Sequence, residues 1–128
     1  MTKIRGEHII KSDGEKILNV LPNADKIVIP IEKFTKYVLN ENADKDKTIV
    51  FELALGYNIN NVDKLIDNIK NNILNFPAKP KGNKGYGELY EVIVTLKGEN
   101  GKMANVLTGW IDDVKMGEMR LITVHIDD

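Results

Sequence analysis

The chain has 128 residues, a length that fits one domain with a core of its own. Its 18 basic and 19 acidic residues give a formal net charge of −1, so any attraction to nucleic acid must come from local charge. The absence of cysteine excludes a disulfide framework, a thiolate metal site and a cysteine nucleophile.

No apolar run approaches the length of a membrane span, and the opening stretch MTKIRGEHIIKSDGEK lacks the apolar core of a signal peptide. We therefore expect no membrane association and a cytoplasmic location for the chain as given. A module cut from a longer exported protein would have its export signal elsewhere. The sequence does not determine the oligomeric state.

Residues 1–26 are polar and weakly patterned, and they fit either a flexible lead-in or a short strand around HII. KIVIP then predicts a short strand or an extended entry that ends at Pro30. In the following IEKFTKYVL, apolar residues recur at helical spacing, which predicts a first helix. The helical part of the chain is placed at 27–76.

Two further helices follow the polar stretch NENADKDK. The second begins near Asp44 or Asp46, either of which is a suitable N-cap, and ends at Leu55 before a capping Gly56. Asn60 or Asn61 caps the third, which Pro77 ends. This third helix carries one apolar stripe, formed by Val62, Leu65, Ile66, Ile69 and Ile73.

PAKPKGNKGYG, residues 77–87, is rich in glycine, proline and lysine and predicts a loop. Lys79, Lys81 and Lys84 fall in it without an acidic residue between them. A solvated linker explains this composition, and so does a loop that binds phosphate through lysines and glycine amides.

The pattern then alternates, which predicts an antiparallel sheet over 86–127 with strands ELYEVIVTLK, KMANVLTGWID and MRLITVHI. Helices followed by a meander indicate a single α+β domain, with the N-terminal helices packed on one face of the C-terminal antiparallel β-meander.

A two-residue turn at Glu99 and Asn100 would set the register of the first hairpin. Leu96 would then pair with Met103, and Glu91 with Thr108. The core face would carry Tyr90, Val92, Val94, Leu96, Met103, Leu107, Ile111, Ile122, Val124 and Ile126. The opposite face would gather Glu91, Thr108, Thr123 and His125, edged by Trp110, while Arg120 could reach either way.

Threonines on a solvent-facing sheet are ordinary stabilising residues, so this polar group also has a purely structural explanation. The chemical alternative is cleavage of RNA without metal. Histidine suits general acid–base work near neutral pH, and the chain has only His8 and His125. Glu91 would orient His125, Thr108 and Thr123 would bind phosphate, and Arg120 or Lys84 would stabilise charge.

Tyr86 and Trp110 are candidate stacking residues for unpaired bases, with Lys79, Lys81 and Lys84 as RNA-binding cations. No cofactor and no metal site are expected, because two distant histidines form no metal-binding motif. The acids at 112–113 and 127–128 are expected only to solvate the chain.

The segments LPNADKIVIPIEKFTKYVLN, FELALGYN, YGELYEVIVTLKGENGKMANVLTGWID and MRLITVHI resemble an uncharacterised bacterial domain family. That family occurs as small stand-alone proteins and as C-terminal modules of polymorphic toxins and prophage proteins. The order of elements also resembles the barnase–EndoU–colicin–RelE group of metal-independent ribonucleases, which cut RNA on an open sheet face. This resemblance implies such a face here, with Thr108, Thr123 and His125 on it.

Two functions are therefore carried forward. The first is a metal-independent ribonuclease, a toxin or effector domain acting on RNA such as transfer RNA, with a cognate immunity protein as a partner. The second is a non-catalytic interaction or accessory module of a toxin or prophage system, whose exposed Thr/Trp sheet face binds another protein.

Overall fold

A computed structural model of the chain describes residues 19–39, 45–83 and 85–127. Its centre is a five-stranded mixed sheet, accompanied by a few helices, which makes the fold α+β. The strand order in the sheet is β1-β5-β4-β3-β2. The segment HII and Asp44, a proposed N-cap, lie outside the described residues.

The apolar KIVIP segment contributes the first strand, as predicted. A short 3₁₀ helix, Ala24–Lys26, leads into β1, Ile27–Val28. β1 runs parallel to the last strand, with Ile27 opposite Met119 and Val28 opposite Arg120. This parallel pair is what makes the sheet mixed.

The three predicted helices are present, but the first is a π-helix, Lys33–Val38. It ends with the N–H of Leu39 donating to the Phe34 carbonyl, a five-residue step. The other two are α1, Lys45–Leu55, and α2, Val62–Asn72, and a 3₁₀ turn, Ile73–Asn75, follows α2. Gly56 caps α1 at a φ of 77°, as predicted.

Four strands form an antiparallel meander: β2, Ala78–Asn83; β3, Glu88–Lys97; β4, Met103–Asp113; and β5, Glu118–Ile126. β3 to β5 match the predicted strands. The loop predicted over 77–87 is wrong in its first half, because AKPKGN is an edge strand. Edge strands tolerate proline and lysine, and a bulge between Pro80 and Gly82 interrupts this one.

The register predicted for the β3–β4 hairpin is wrong by one residue. The N–H of Gly98 donates to the Lys102 carbonyl over 2.8 Å, which closes a three-residue loop. Gly101 in this loop has a φ of 83°, a conformation that favours glycine. Leu96 therefore lies opposite Ala104, and every β4 side chain points to the face opposite to the one predicted.

One hydrophobic cluster joins the helices to the sheet. α2 contributes its predicted stripe, of which Ile66 is only half-buried. β3 contributes Val92, Val94 and Leu96, as predicted. Val124 of β5 is also buried, as predicted. The β4 register and a bulge in β5 opposite Gly109 and Trp110 change the other core-face positions of these two strands. The buried core-face residues of β4 and β5 that were not predicted there are Val106, Thr108, Trp110, Met119 and Leu121.

Candidate functional site

The sheet surface opposite the core is called the open face, and cross-strand partners define it because partners share a face. Glu91 lies opposite Gly109, and Gly109 lies opposite Thr123. One step along the strands, Ile93 lies opposite Leu107, and Leu107 lies opposite His125. The open face therefore carries Glu91, Ile93, Leu107, Gly109, Thr123 and His125.

His125 is half-buried on this face, and its ring contacts the backbone of the next residue. Nδ1 lies 3.0 Å from the Ile126 carbonyl oxygen, so Nδ1 must carry the proton in the neutral ring. Nε2 is then the unprotonated nitrogen. A histidine in this tautomer can accept a proton from a ligand through Nε2.

Thr123 is exposed and lies beside Gly109 on the neighbouring strand. A Cβ added at Gly109 would come within 3.1 Å of the Thr123 Cβ. Because Gly109 has no side chain, the middle of the open face is shallow between Glu91 and Thr123. A flat or extended ligand can therefore approach the backbone of β4 there.

Thr108 and Trp110 lie on the core face, contrary to the predicted placement, because of the one-residue change in register. Both are fully buried. The Thr108 hydroxyl donates to the Val92 carbonyl at 2.7 Å and accepts from the Trp110 indole at 2.8 Å. Neither side chain is available to contact phosphate or to stack on a base.

Glu91 does not adjoin His125. Strand β4 separates β3 from β5, and the two residues are also offset along the strands. Two strand spacings put their backbones at least about 10 Å apart. Glu91 instead lies opposite Lys79 of β2, so its position does not support the predicted role of orienting the histidine.

A cleft of about 610 Å³ opens at the end of the sheet where the β2–β3 connection meets the β4–β5 turn. We call it the Tyr86 cleft. Its walls are formed by Tyr86, Ile111, Asp113, Met116, Arg120 and Ile122, together with residues of the same two connections. Tyr86 is 78% exposed and Met116 is 63% exposed, so large apolar groups face solvent at this mouth.

Arg120 lines this cleft but is already ion-paired. Its Nη1 donates to Asp113 Oδ2 at 2.8 Å and lies 3.6 Å from Glu118 Oε1. The backbone N–H of Met116 and the Arg120 guanidinium hold the pKa of Asp113 below its ordinary value of 3.8. Asp113 is therefore a fixed anion that orients the guanidinium.

The structure describes two of the three lysines that were predicted to bind RNA. Lys79 and Lys81 are exposed on the edge strand β2, and Lys84 lies outside the described residues. Over residues 19–39, 45–83 and 85–127, no group of three or more histidine, aspartate or glutamate side chains is arranged to hold a metal ion.

Asp113 was expected only to solvate a turn, so the sequence analysis missed its pairing with Arg120. Opposite charges on either side of the short turn VKMG could have indicated it. No sequence pattern indicates the cleft itself, because the cleft depends on the β5 bulge that brings Ile122 beside Ile111. No local pattern in MRLITVHI marks that extra residue.

A family described as "Domain of unknown function (DUF6883)" matches residues 20–128. No curated protein and no solved structure matches the chain. Among the helices that the structure describes, none is long and apolar enough to cross a membrane.

Proposed function

Because the chain belongs to the DUF6883 family, whose description names no activity, we propose its function from the site itself: metal-independent cleavage of RNA on the open face. The observation that carries the proposal is the 3.0 Å contact between His125 Nδ1 and the Ile126 carbonyl oxygen, which favours the neutral tautomer with its proton on Nδ1. Nε2 is then the ring nitrogen that can accept a proton. Free RNA offers the matching acid, its 2′-hydroxyl.

In the proposed reaction, Nε2 of His125 removes the proton of a ribose 2′-hydroxyl. The 2′-oxygen attacks the adjacent phosphorus, and the bond from phosphorus to the 5′-oxygen breaks. The leaving oxygen takes a proton from solvent or from the protonated histidine. The products are a 2′,3′-cyclic phosphate and a free 5′-hydroxyl end, and no metal enters the balance.

We assign Thr123, two residues before His125 on the same face, as a ligand of the reacting phosphate. Lys79 lies on the row of open-face residues that runs through Glu91, Gly109 and Thr123. Three strand spacings, about 14 Å, separate its strand from that of Thr123. We assign Lys79 to a neighbouring phosphate of the same RNA, and not to the reacting one.

The test is cleavage of total RNA by purified protein in the presence of a chelator. His125→Ala should lower the rate about 10²- to 10⁴-fold, the range expected for loss of a general base, with the fold retained. His8→Ala is the matched control, since these are the two histidines of the chain. Equal cleavage by the parent and His125→Ala proteins would overturn the assignment.

The toxin or effector role is part of the same proposal and has its own test. Induced expression of the parent in bacteria should arrest growth, and His125→Ala should not. A cognate immunity protein would restore growth of cells that express the parent. Normal growth with a soluble, RNA-cleaving parent would separate the chemistry from the toxin role.

The second candidate is a non-catalytic interaction module, favoured by the apolar residues that α1 leaves exposed: Ile49, Val50 and Leu53. A protein partner would cover such a surface. The sheet face that was expected to bind a protein through Thr108 and Trp110 cannot do so through these residues, because both are buried. A well-folded parent protein that cuts no RNA would favour an interaction module that binds its partner through α1.

A further inference from the structure

The Tyr86 cleft has the size and chemistry of a small-ligand site, beyond the residues assigned above to RNA cleavage. Its volume of about 610 Å³ falls within the range of about 300–1,000 Å³ that ligand pockets occupy. Ile111 and Ile122 give it an apolar floor. Tyr86 and Met116 stand exposed at its walls, on the two connections that border it.

The charged side chains of the cleft can offer hydrogen-bond donors to a ligand. Among the described residues, Arg120 hydrogen-bonds Asp113 and pairs with Glu118 through Nη1, so the rest of its guanidinium fork still has N–H groups to donate. Asp113 has one oxygen bonded to Arg120 and the other to the Met116 N–H. Lys115 adds a further cation to the lining. The charged donors left to a ligand are therefore Arg120 and Lys115.

A ligand that suits this cleft has two flat apolar faces and an edge of hydrogen-bond acceptors. We infer that the Tyr86 cleft binds an unstacked base of single-stranded RNA, with Tyr86 as the stacking platform. At pyrimidine C4 or purine C6, the guanidinium donor favours a carbonyl group over an amino group. Uracil and guanine have one where cytosine and adenine have an amino group, so the cleft should select uracil or guanine.

The cleft and His125 are close enough to serve one RNA strand. Ile122 lines the cleft, and His125 lies three residues further along β5, which is about 10 Å. A base in the cleft would belong to a nucleotide next to the phosphodiester at Thr123 and His125. The inference thus rests on the proposed function and adds a base preference to it.

The experiment titrates the folded protein with UMP, GMP, CMP and AMP, monitored by amide chemical shifts. UMP and GMP should bind at least about fivefold more tightly than their amino counterparts, as expected for one good base-edge contact. Tyr86→Ala should weaken all four about five- to hundredfold through loss of stacking, and Tyr86→Phe should not. Met103→Ala, an exposed apolar residue at the start of β4, is the matched control.

Arg120→Lys separates base selection from stacking, because it keeps the positive charge but loses the guanidinium fork. This variant should bind all four nucleotides with little preference. Equal affinities of the parent for the four, or binding unchanged in Tyr86→Ala, would overturn the inference. Absence of any shift at the cleft would also overturn it.

The same proteins assayed on RNA distinguish failure of the inference from failure of the proposed function. In one outcome, His125→Ala abolishes cleavage and Tyr86→Ala cleaves RNA with the same base preference as the parent. This outcome would support the ribonuclease proposal and contradict the base site. If the parent binds nucleotides selectively but cuts no RNA, the result would support the base site and contradict the ribonuclease proposal.

Discussion

The hydroxyl of Thr108 has a structural role, although its position in the sequence suggested a catalytic one. It satisfies two groups inside the core, the Val92 carbonyl and the Trp110 indole N–H. A buried indole N–H without an acceptor destabilises the folded state. This threonine therefore stabilises the full burial of Trp110 in β4.

Thr108→Val keeps the size of the side chain and removes both hydrogen bonds. We expect the free energy of unfolding to fall by about 1–3 kcal/mol, measured by denaturant titration, because the indole N–H loses its acceptor. Thr123→Val, on the exposed face, should change it by less than about 0.5 kcal/mol. Equal effects of the two substitutions would contradict the burial of Thr108.

The carboxylate of Asp113 makes stability depend on pH in a defined direction. The Met116 N–H and Arg120 lower its pKa in the folded protein below the ordinary 3.8. Its ionised form therefore stabilises the fold at pH values above 3.8. That contribution is lost as the pH falls below 3.8 and through the lower pKa of the folded state.

Asp113→Asn removes the titrating group, so the variant should be less stable than the parent at neutral pH. The difference in unfolding free energy should shrink as the pH falls below 3.8, since the parent carboxylate becomes protonated. Denaturant titrations across this range measure it, with the exposed Asp67→Asn on α2 as control. A difference that stays constant with pH would contradict the role of the charge.

At the scale of elements, the β3–β4 loop is a docking point for α1. The Asn100 N–H donates to the Leu55 carbonyl at 3.4 Å, and the Asn100 side chain donates to the Leu53 carbonyl. Gly98 packs directly against the backbone of Leu55. The loop thereby satisfies carbonyls that the helix C-terminus leaves free.

Gly98→Ala should disrupt this docking, because the added methyl group would overlap the Leu55 carbonyl and Cα. Overpacking against backbone predicts a loss of about 1–3 kcal/mol in unfolding free energy. Ala104→Gly, a change of similar size in β4, should cost less, about 0.5–1 kcal/mol. A Gly98→Ala protein as stable as the parent would show that α1 shifts freely on the sheet.

The elements themselves were largely predictable, whereas their registers were not. Apolar periodicity located α2 and strands β3 to β5, since burial of one face imposes that periodicity. The GENG turn allows a two-residue or a three-residue loop, and the choice reverses the two faces of β4. β2 went unrecognised because an edge strand needs few apolar residues.

At the scale of the whole molecule, the candidate site is smaller than the sequence indicated. Thr123 and His125 share the open face, but Thr108 and Trp110 are in the core, and Arg120 is paired with Asp113. Pattern analysis assigns residue types to faces, but it cannot detect a bulge or a competing ion pair. These features arise from contacts between segments distant in sequence.

The pairing of β1 with β5 also bears on the order in which this surface forms during folding. Val28 lies opposite Arg120, so an early segment and a late segment of the chain hold each other in place. Contacts of such long sequence separation form slowly, because a long loop must close first. Because Arg120 and His125 both lie on β5, we expect the Arg120 wall of the cleft and the open-face histidine to take their places late in folding, together with this long-range pairing.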